Sequence, residues 1–262
     1  MFEAAVTSGQ RGAIQVKKAW KKRENSAEPP TPATKLASIV APESITTPKS
    51  KSKSASALNF DPNEPWLICG LGNPGDRYHN TRHNVGHAVV DLLVARGGES
   101  WKRHQSGTLT AKIRLGTTAG GAPGPAVIVA KSLEYMNVSG ASLANLAKYA
   151  KIDPAQILVI HDELDLPEYA LKLKRGGGEG GHNGLKSLSG ALHTRDYARL
   201  RIGIGRPPGR MDPAAFVLAK IGAKNAADWE VTYQLAADTV EAVVTRGFTA
   251  AQQDLHSKSG VK

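Results

Sequence analysis

The chain has 262 residues, which at roughly 100–200 residues per domain allows one large domain or two small ones. Its composition of 40% apolar and 22% charged residues, its mean hydropathy of −0.30 and the lack of any apolar run of about 18 residues suit a core-forming protein and exclude a membrane-spanning helix, so no membrane insertion is expected. The single cysteine, Cys69, excludes an intramolecular disulfide and cysteine-held zinc or iron–sulfur, which points to a reducing compartment, while 34 basic against 23 acidic side chains, a net charge of +11, point to an anionic partner.

Residues 1–59 carry ten basic and four acidic side chains, a net of +6, which leaves +5 for residues 60–262. This basic extension is rich in Ser, Thr, Pro, Ala and Lys, shows no lasting period of 2 or 3.6, and is expected to be disordered. Its start, MFEAAVTSGQRGAIQVKKAWKKR, is compatible with an organelle-targeting presequence, with Glu3, Glu24 and Glu28 counting against one. The protein is accordingly expected in a mitochondrion or other organelle if the extension is a presequence, and in the cytoplasm otherwise. No apolar h-region follows the basic residues, so a secretory signal is excluded.

From residue 60 the pattern is that of one globular domain. PWLICGL (65–71) is a short apolar run that predicts a buried strand. Thr81 is the expected N-cap of a helix on which Val85, Ala88, Val89, Leu92 and Leu93 share one face, with Gly97 as its C-cap. TLTAKIRL and PAVIVAKS predict strands separated by the loop GTTAGGAPG, and Leu143, Leu146, Ala147 and Ala150 mark a helix after NVSG. QILVIHDELDLP predicts a strand ending in acids, ALKLK (170–174) a short strand, and GGGEGGHNG a loop. A helix over 183–192, a strand over 197–205 and a helix over 225–246 closed by Gly247 complete the chain. Such alternation predicts an α/β fold, with a mixed, largely parallel sheet flanked by helices and ligand groups presented where strands run out into loops.

Two patterns here imitate other chemistries. GLGNPG places Gly70, Gly72 and Gly75 in a dinucleotide-binding spacing after a strand, with Asp91 about 20 residues on. Such a motif opens directly into a helix, however, and here Pro74 and the polar stretch DRYHNT delay the helix. His79, His83 and His87 are four residues apart, but His79 precedes the N-cap and no carboxylate stands in register to complete three zinc ligands. Neither a nicotinamide cofactor nor a metal is expected.

Four loop segments hold the unusual residues: GLGNPGDRYHNTRHN (70–84), KSLEYMNVSG (131–140), HDELDLP (161–167) and GGGEGGHNGLKS (176–187). With RLRIGIGRP they resemble, in order and approximate spacing, the bacterial-type peptidyl-tRNA hydrolase family, over about residues 65–250. The resemblance implies hydrolysis, without a cofactor, of the ester between a peptide or N-blocked amino acid and the ribose of tRNA, releasing free tRNA, by a monomer acting on peptidyl-tRNA. It implies that His83 is the general base, that Asp162 orients it, and that Asn73 lies close to the scissile region. Tyr78, Tyr135, Met136, Asn137 and Asn183 match positions that hold the peptide and the tRNA terminus, and Lys172, Lys174 and Arg201 match positions that contact tRNA phosphates.

The residues support these roles on their own terms. An ester needs only an activated water, a neutral imidazole can activate one, and a neighbouring carboxylate fixes its tautomer and stabilises the imidazolium. Each also has a plainer reading: Asn73 as the residue shaping a Gly-Asn-Pro-Gly turn, Tyr135 and Met136 as core, Lys172 and Lys174 as a solvated strand face. Spacing alone does not choose among Asp162, Glu163 and Asp165; the resemblance chooses Asp162. The sequence departs from the family pattern with His87 where Phe is common, Ser132 and Glu134 where Pro and Thr are common, and Tyr169 where Gly is usual. A charge on His87, one turn after His83, would lower the pKa of the base. The competing reading is a catalytically idle RNA-binding relative of the organellar intron splicing factor type, which would keep the basic surface but would not need His83, Asp162, Asn73, Asn137 and Asn183 together.

Overall fold

β1 (Trp66–Gly70) is buried at every residue and lies in the middle of a seven-stranded sheet. Its unbroken apolar sequence follows from that position, because a strand with parallel neighbours and helices over both faces has no wet side. It pairs in parallel with β4 (Ala126–Ser132) and β5 (Ile157–Glu163), and β5 pairs in parallel with β7 (Ala198–Gly203). The outer pairings are antiparallel: β3 (Thr108–Arg114) on β4, β2 (Lys102–His104) on β3, and β6 (Leu171–Arg175) on β7. The order is β2-β3-β4-β1-β5-β7-β6, the mixed α/β sheet that the alternation of strands and helices predicts. The computed structural model describes residues 64–117 and 120–259; the expectations for the extension 1–59 lie outside the described residues.

One face of the sheet is covered by α1 (Val85–Arg96) and α5 (Ala226–Arg246), with Val89, Leu93, Trp229 and Val240 packed on Ile68, Leu158 and Leu200. The other is covered by α2 (Ser139–Ala150) and α3 (Asn183–Leu192), whose Leu143, Leu146, Leu185 and Leu188 meet Leu67, Val159 and Tyr197. Two glycines set how closely these layers approach. A Cβ on Gly86 would lie 2.4 Å from the Ile160 carbonyl oxygen, so only glycine lets the start of α1 touch the end of β5. A Cβ on Gly140 would lie 2.2 Å from the Ser187 carbonyl oxygen, so α2 and α3 cross backbone to backbone. Both contacts fall beside the loops that carry the unusual residues. Among the described residues no helix is long and apolar enough to cross a membrane.

Several local expectations are corrected. Thr81 does not cap α1: its hydroxyl donates to the Tyr78 carbonyl, a single 3₁₀ turn, Arg82–Asn84, follows it, and α1 begins at Val85. Gly97 ends α1 at φ −75° rather than in the left-handed region, whereas Gly247 closes α5 at φ 87°. Tyr169 keeps the left-handed turn at φ 71° despite its side chain, where a residue with a Cβ costs about 1–2 kcal/mol more than glycine, and its ring packs 5.1 Å from that of Trp229. Ser132 shapes the turn after β4 by accepting the Glu134 N–H at 3.0 Å. Sequence reading did not foresee β2, α4 (Pro213–Leu218) or α6 (Phe248–Ser259): the first two are very short, and α6 has little apolar periodicity. Edge strand β6 is sealed by α6, where His256 Nε2 accepts the Leu173 N–H at 3.2 Å and Gln252 donates to the Leu173 carbonyl at 2.9 Å, which removes an exposed strand edge.

Candidate active site

The loops after β1, β4 and β5 leave the sheet at the carboxyl ends of its parallel strands, where open α/β sheets present ligand groups. The glycine segment 176–182 arrives differently. β6 is antiparallel to β7, so this segment starts at the opposite end of the sheet and must run back along it before α3 begins. Arg199, buried on β7, holds it on that path by donating to the Gly178 and Gly177 carbonyls at 2.7 and 2.8 Å. The four segments thereby line one cleft of about 600 Å³, and Asn73, Tyr78, His83, Tyr135, Met136, Asn137, Asp162 and Asn183 are all in its wall.

At its centre is a buried carboxylate. Asp162, the sixth residue of β5, is 4% exposed. His83, in the turn before α1, directs Nδ1 at both carboxylate oxygens, at 2.9 and 3.0 Å. His182 approaches from the other side with Nε2 2.9 Å from Asp162 Oδ1. Its second nitrogen, Nδ1, accepts the N–H groups of Gly184 and Leu185 and so caps α3. A ring nitrogen that accepts carries no proton, so His182 Nε2 carries it and donates to Asp162. The carboxylate likewise requires a donor at His83 Nδ1, which leaves His83 Nε2 with a free lone pair for the cleft. Burial works against ionisation of Asp162, but His83 and His182 together hold its pKa below the ordinary carboxylate range. Burial alone would lower the pKa of His83; the Asp162 charge and hydrogen bond outweigh it and raise it.

His161, adjacent on β5, turns away and bonds the Asp162 carbonyl oxygen through Nδ1 at 2.7 Å; burial, foremost, pushes its pKa down to about 3, so it is neutral. His87 is also neutral, its pKa pushed to about 3 by burial and by Lys131. The like-charge effect of His87 on His83 therefore does not operate. The sequence triplet His79, His83 and His87 does not converge: among the described residues, the set able to bring three metal-ligand atoms within 4.8 Å is His83, Asp162 and His182, and there the proton on His182 Nε2 occupies the direction a metal would need.

Asn73 is held by Asn84, which accepts the Asn73 N–H and donates to the Asn73 carbonyl, both at 2.9 Å. Its own Oδ1 accepts the Met136 N–H at 2.9 Å, which orients the carboxamide and leaves Nδ2 as its donor. The turn-shaping and site readings of Asn73 are thus both satisfied. Met136 is buried core as well as cleft wall, while Tyr135 is 53% exposed and meets Tyr78 edge-on with ring centres 6.1 Å apart. Sequence reasoning missed His182, Asn84 and Arg199. Each stood inside a quoted motif, but what each does depends on a partner 11 to 22 residues away.

Lys172, Lys174 and Arg201 are not in the cleft wall. Lys172 lies opposite Arg201 and Lys174 opposite Arg199 in the β6–β7 register, on the face turned away from Leu171 and Leu173, which are in the core. Arg201 bonds Glu163 at 2.9 Å, a cleft residue, so its charge is already matched by a carboxylate.

An imidazole with a free nitrogen in a cleft, backed by a buried carboxylate and flanked by asparagine donors on an open α/β sheet, equips a hydrolase that works by general-base catalysis. Residues 67–262 match the family described as peptidyl-tRNA hydrolase. The chain is 54% identical over 194 residues to a peptidyl-tRNA hydrolase of Kineococcus radiotolerans, covering 74% of this chain and 98% of that one. It is 50% identical over 194 residues to one of Mycobacterium avium, covering 74% and 98%. The crystal structure of peptidyl-tRNA hydrolase from Acinetobacter baumannii superposes with a TM-score of 0.64 at 32% identity, covering 72% of this chain and 93% of that one. The chain belongs to the peptidyl-tRNA hydrolase family.

Proposed function

We propose that the protein hydrolyses the ester that joins a peptide, or an N-blocked amino acid, to the ribose of tRNA, and that His83 is its general base. The observation that carries this reading is the His83–Asp162–His182 arrangement in the wall of the cleft. His83 Nε2 takes a proton from water as its oxygen attacks the ester carbonyl. Asp162 balances the imidazolium formed. The tetrahedral oxyanion accepts hydrogen bonds from asparagine amides, with the Nδ2 groups of Asn73, Asn137 and Asn183 as candidates. Collapse breaks the bond to the ribose oxygen, His83 returns the proton to that oxygen, and the products are a carboxylic acid and tRNA with a free hydroxyl. All the groups come from one chain, so a monomer suffices.

Lys172 and Lys174, beside the glycine segment, are assigned to tRNA phosphates, with Arg201 reinforcing the local positive field while paired to Glu163. The family matches favour this enzyme over an idle RNA-binding relative. The test is release of peptide from purified N-acetylaminoacyl-tRNA. The unaltered protein is expected to turn over and His83→Ala to lose about 10²–10⁴-fold in rate with little change in tRNA affinity. Near-normal turnover by His83→Ala would remove His83 from the role.

A further inference from the structure

A second cavity, of about 480 Å³, lies along the 73–81 loop, between that loop, α1, the end of β4 and the start of α5. Asn73 stands in the walls of both this cavity and the catalytic cleft, so whatever is held near Asn73 can extend into either. Its charge is unlike that of a phosphate site. Asp76, Asp91, Glu230 and Lys131 line it; Lys131 is spent on Asp91, with Nζ 2.5 Å from Oδ1, and lies over the Trp101 ring at 4.7 Å. The carboxylates of Asp76 and Glu230 are left uncompensated, and both are exposed. The nucleic-acid part of an ester would be repelled there, and a peptide would not. The wall also offers an unused polar atom. His87 is 8% exposed and neutral, and its Nε2 is buried without a hydrogen-bond partner, a requirement that a peptide group can meet.

We propose that this cavity is a peptide subsite, taking the residue next to the esterified one in the peptidyl group and favouring a basic or uncharged side chain over an acidic one. The inference rests on the hydrolase reading above and adds to it a preference that the cleft alone does not dictate. Three substrates on the same tRNA test it: an N-acetylated single amino acid, and two N-acetylated dipeptides that differ only in a lysine or a glutamate at the upstream position.

The expected kcat/KM is higher for the lysine dipeptide than for the glutamate dipeptide by on the order of tenfold, a difference that fits one local charge contact. Glu230→Lys should level or reverse that order. Ala88→Phe, which fills the cavity from α1, should bring both dipeptides down to the rate of the single amino acid. Neither substitution should change the single amino acid substrate by more than about twofold, which also certifies that both variants fold. Equal kcat/KM for the two dipeptides in the unaltered protein, or variants that shift all three substrates alike, would overturn the subsite. A protein that cleaves none of the three overturns the hydrolase reading itself, and the subsite with it.

Discussion

The proton balance between His83 and Asp162 determines where in pH the site works. A general base acts when deprotonated, so kcat/KM rises with pH through the pKa of His83, and the Asp162 charge places that rise above the ordinary histidine value of about 6.5. In Asp162→Asn the raising influence is gone and burial acts alone, so the rise should move to lower pH while the plateau falls by on the order of 10²-fold or more. A pH–rate profile measured on both proteins checks this, and an unmoved rise would mean that Asp162 does not govern the base. His182 performs two separable duties, as donor to Asp162 and as cap of α3. His182→Asn keeps a good capping side chain but is too short to serve Asp162, so it should leave the melting temperature nearly unchanged and lower kcat. His182→Ala should lower kcat and also cost about 0.5–2 kcal/mol of stability for the missing cap. Equal kcat for His182→Asn and the unaltered protein would reduce His182 to the cap alone.

Among the elements, α6 has the most conditional hold. Its His256 accepts the Leu173 N–H only when neutral, and burial, followed by the charge of Lys172, lowers its pKa. A histidine with a lowered pKa in the folded state contributes stability above its unfolded pKa of about 6.5, and that contribution is lost as pH falls through the folded value. Amide exchange at Leu173, normalised for intrinsic rate, should therefore quicken on acidification through this range in the unaltered protein. In His256→Ala it should already be faster at pH 8 and show no such step. Identical exchange in the two proteins would mean that the edge of β6 is protected without His256.

For the molecule as a whole, the charge is divided between two regions. Residues 1–59 hold a net +6 of the total +11, and the family match begins only at residue 67. Protein shortened to begin at Asn59 should keep its rate of ester hydrolysis. If the extension touches phosphates, the log–log slope of tRNA affinity against salt should flatten by about one unit for each phosphate it had neutralised; if it serves only for targeting, the slope should stay the same. Loss of hydrolysis on shortening would place part of the working fold before residue 60.

The buried strands were legible because β1, β4 and β5 are apolar runs whose composition reports burial directly, and α3 and α5 because their apolar spacing and the closing Gly247 are local signals. The residues of the cleft were legible only as motifs. Nothing within HDELDLP distinguishes Asp162 from Glu163 or Asp165; what distinguishes it is its place on β5, where its carboxylate is buried between His83, 79 residues earlier, and His182, 20 residues later. Sequence alone likewise could not tell that His87 is neutral, since its charge state depends on burial and on Lys131, or that Arg201 is paired with Glu163. Secondary structure follows from periods and caps within a few residues of chain. Protonation, pairing and the meeting of the four loops depend on which groups are brought together and shielded from water, and this the tertiary structure alone decided, through close approaches such as Gly86 on β5 that no local pattern specifies.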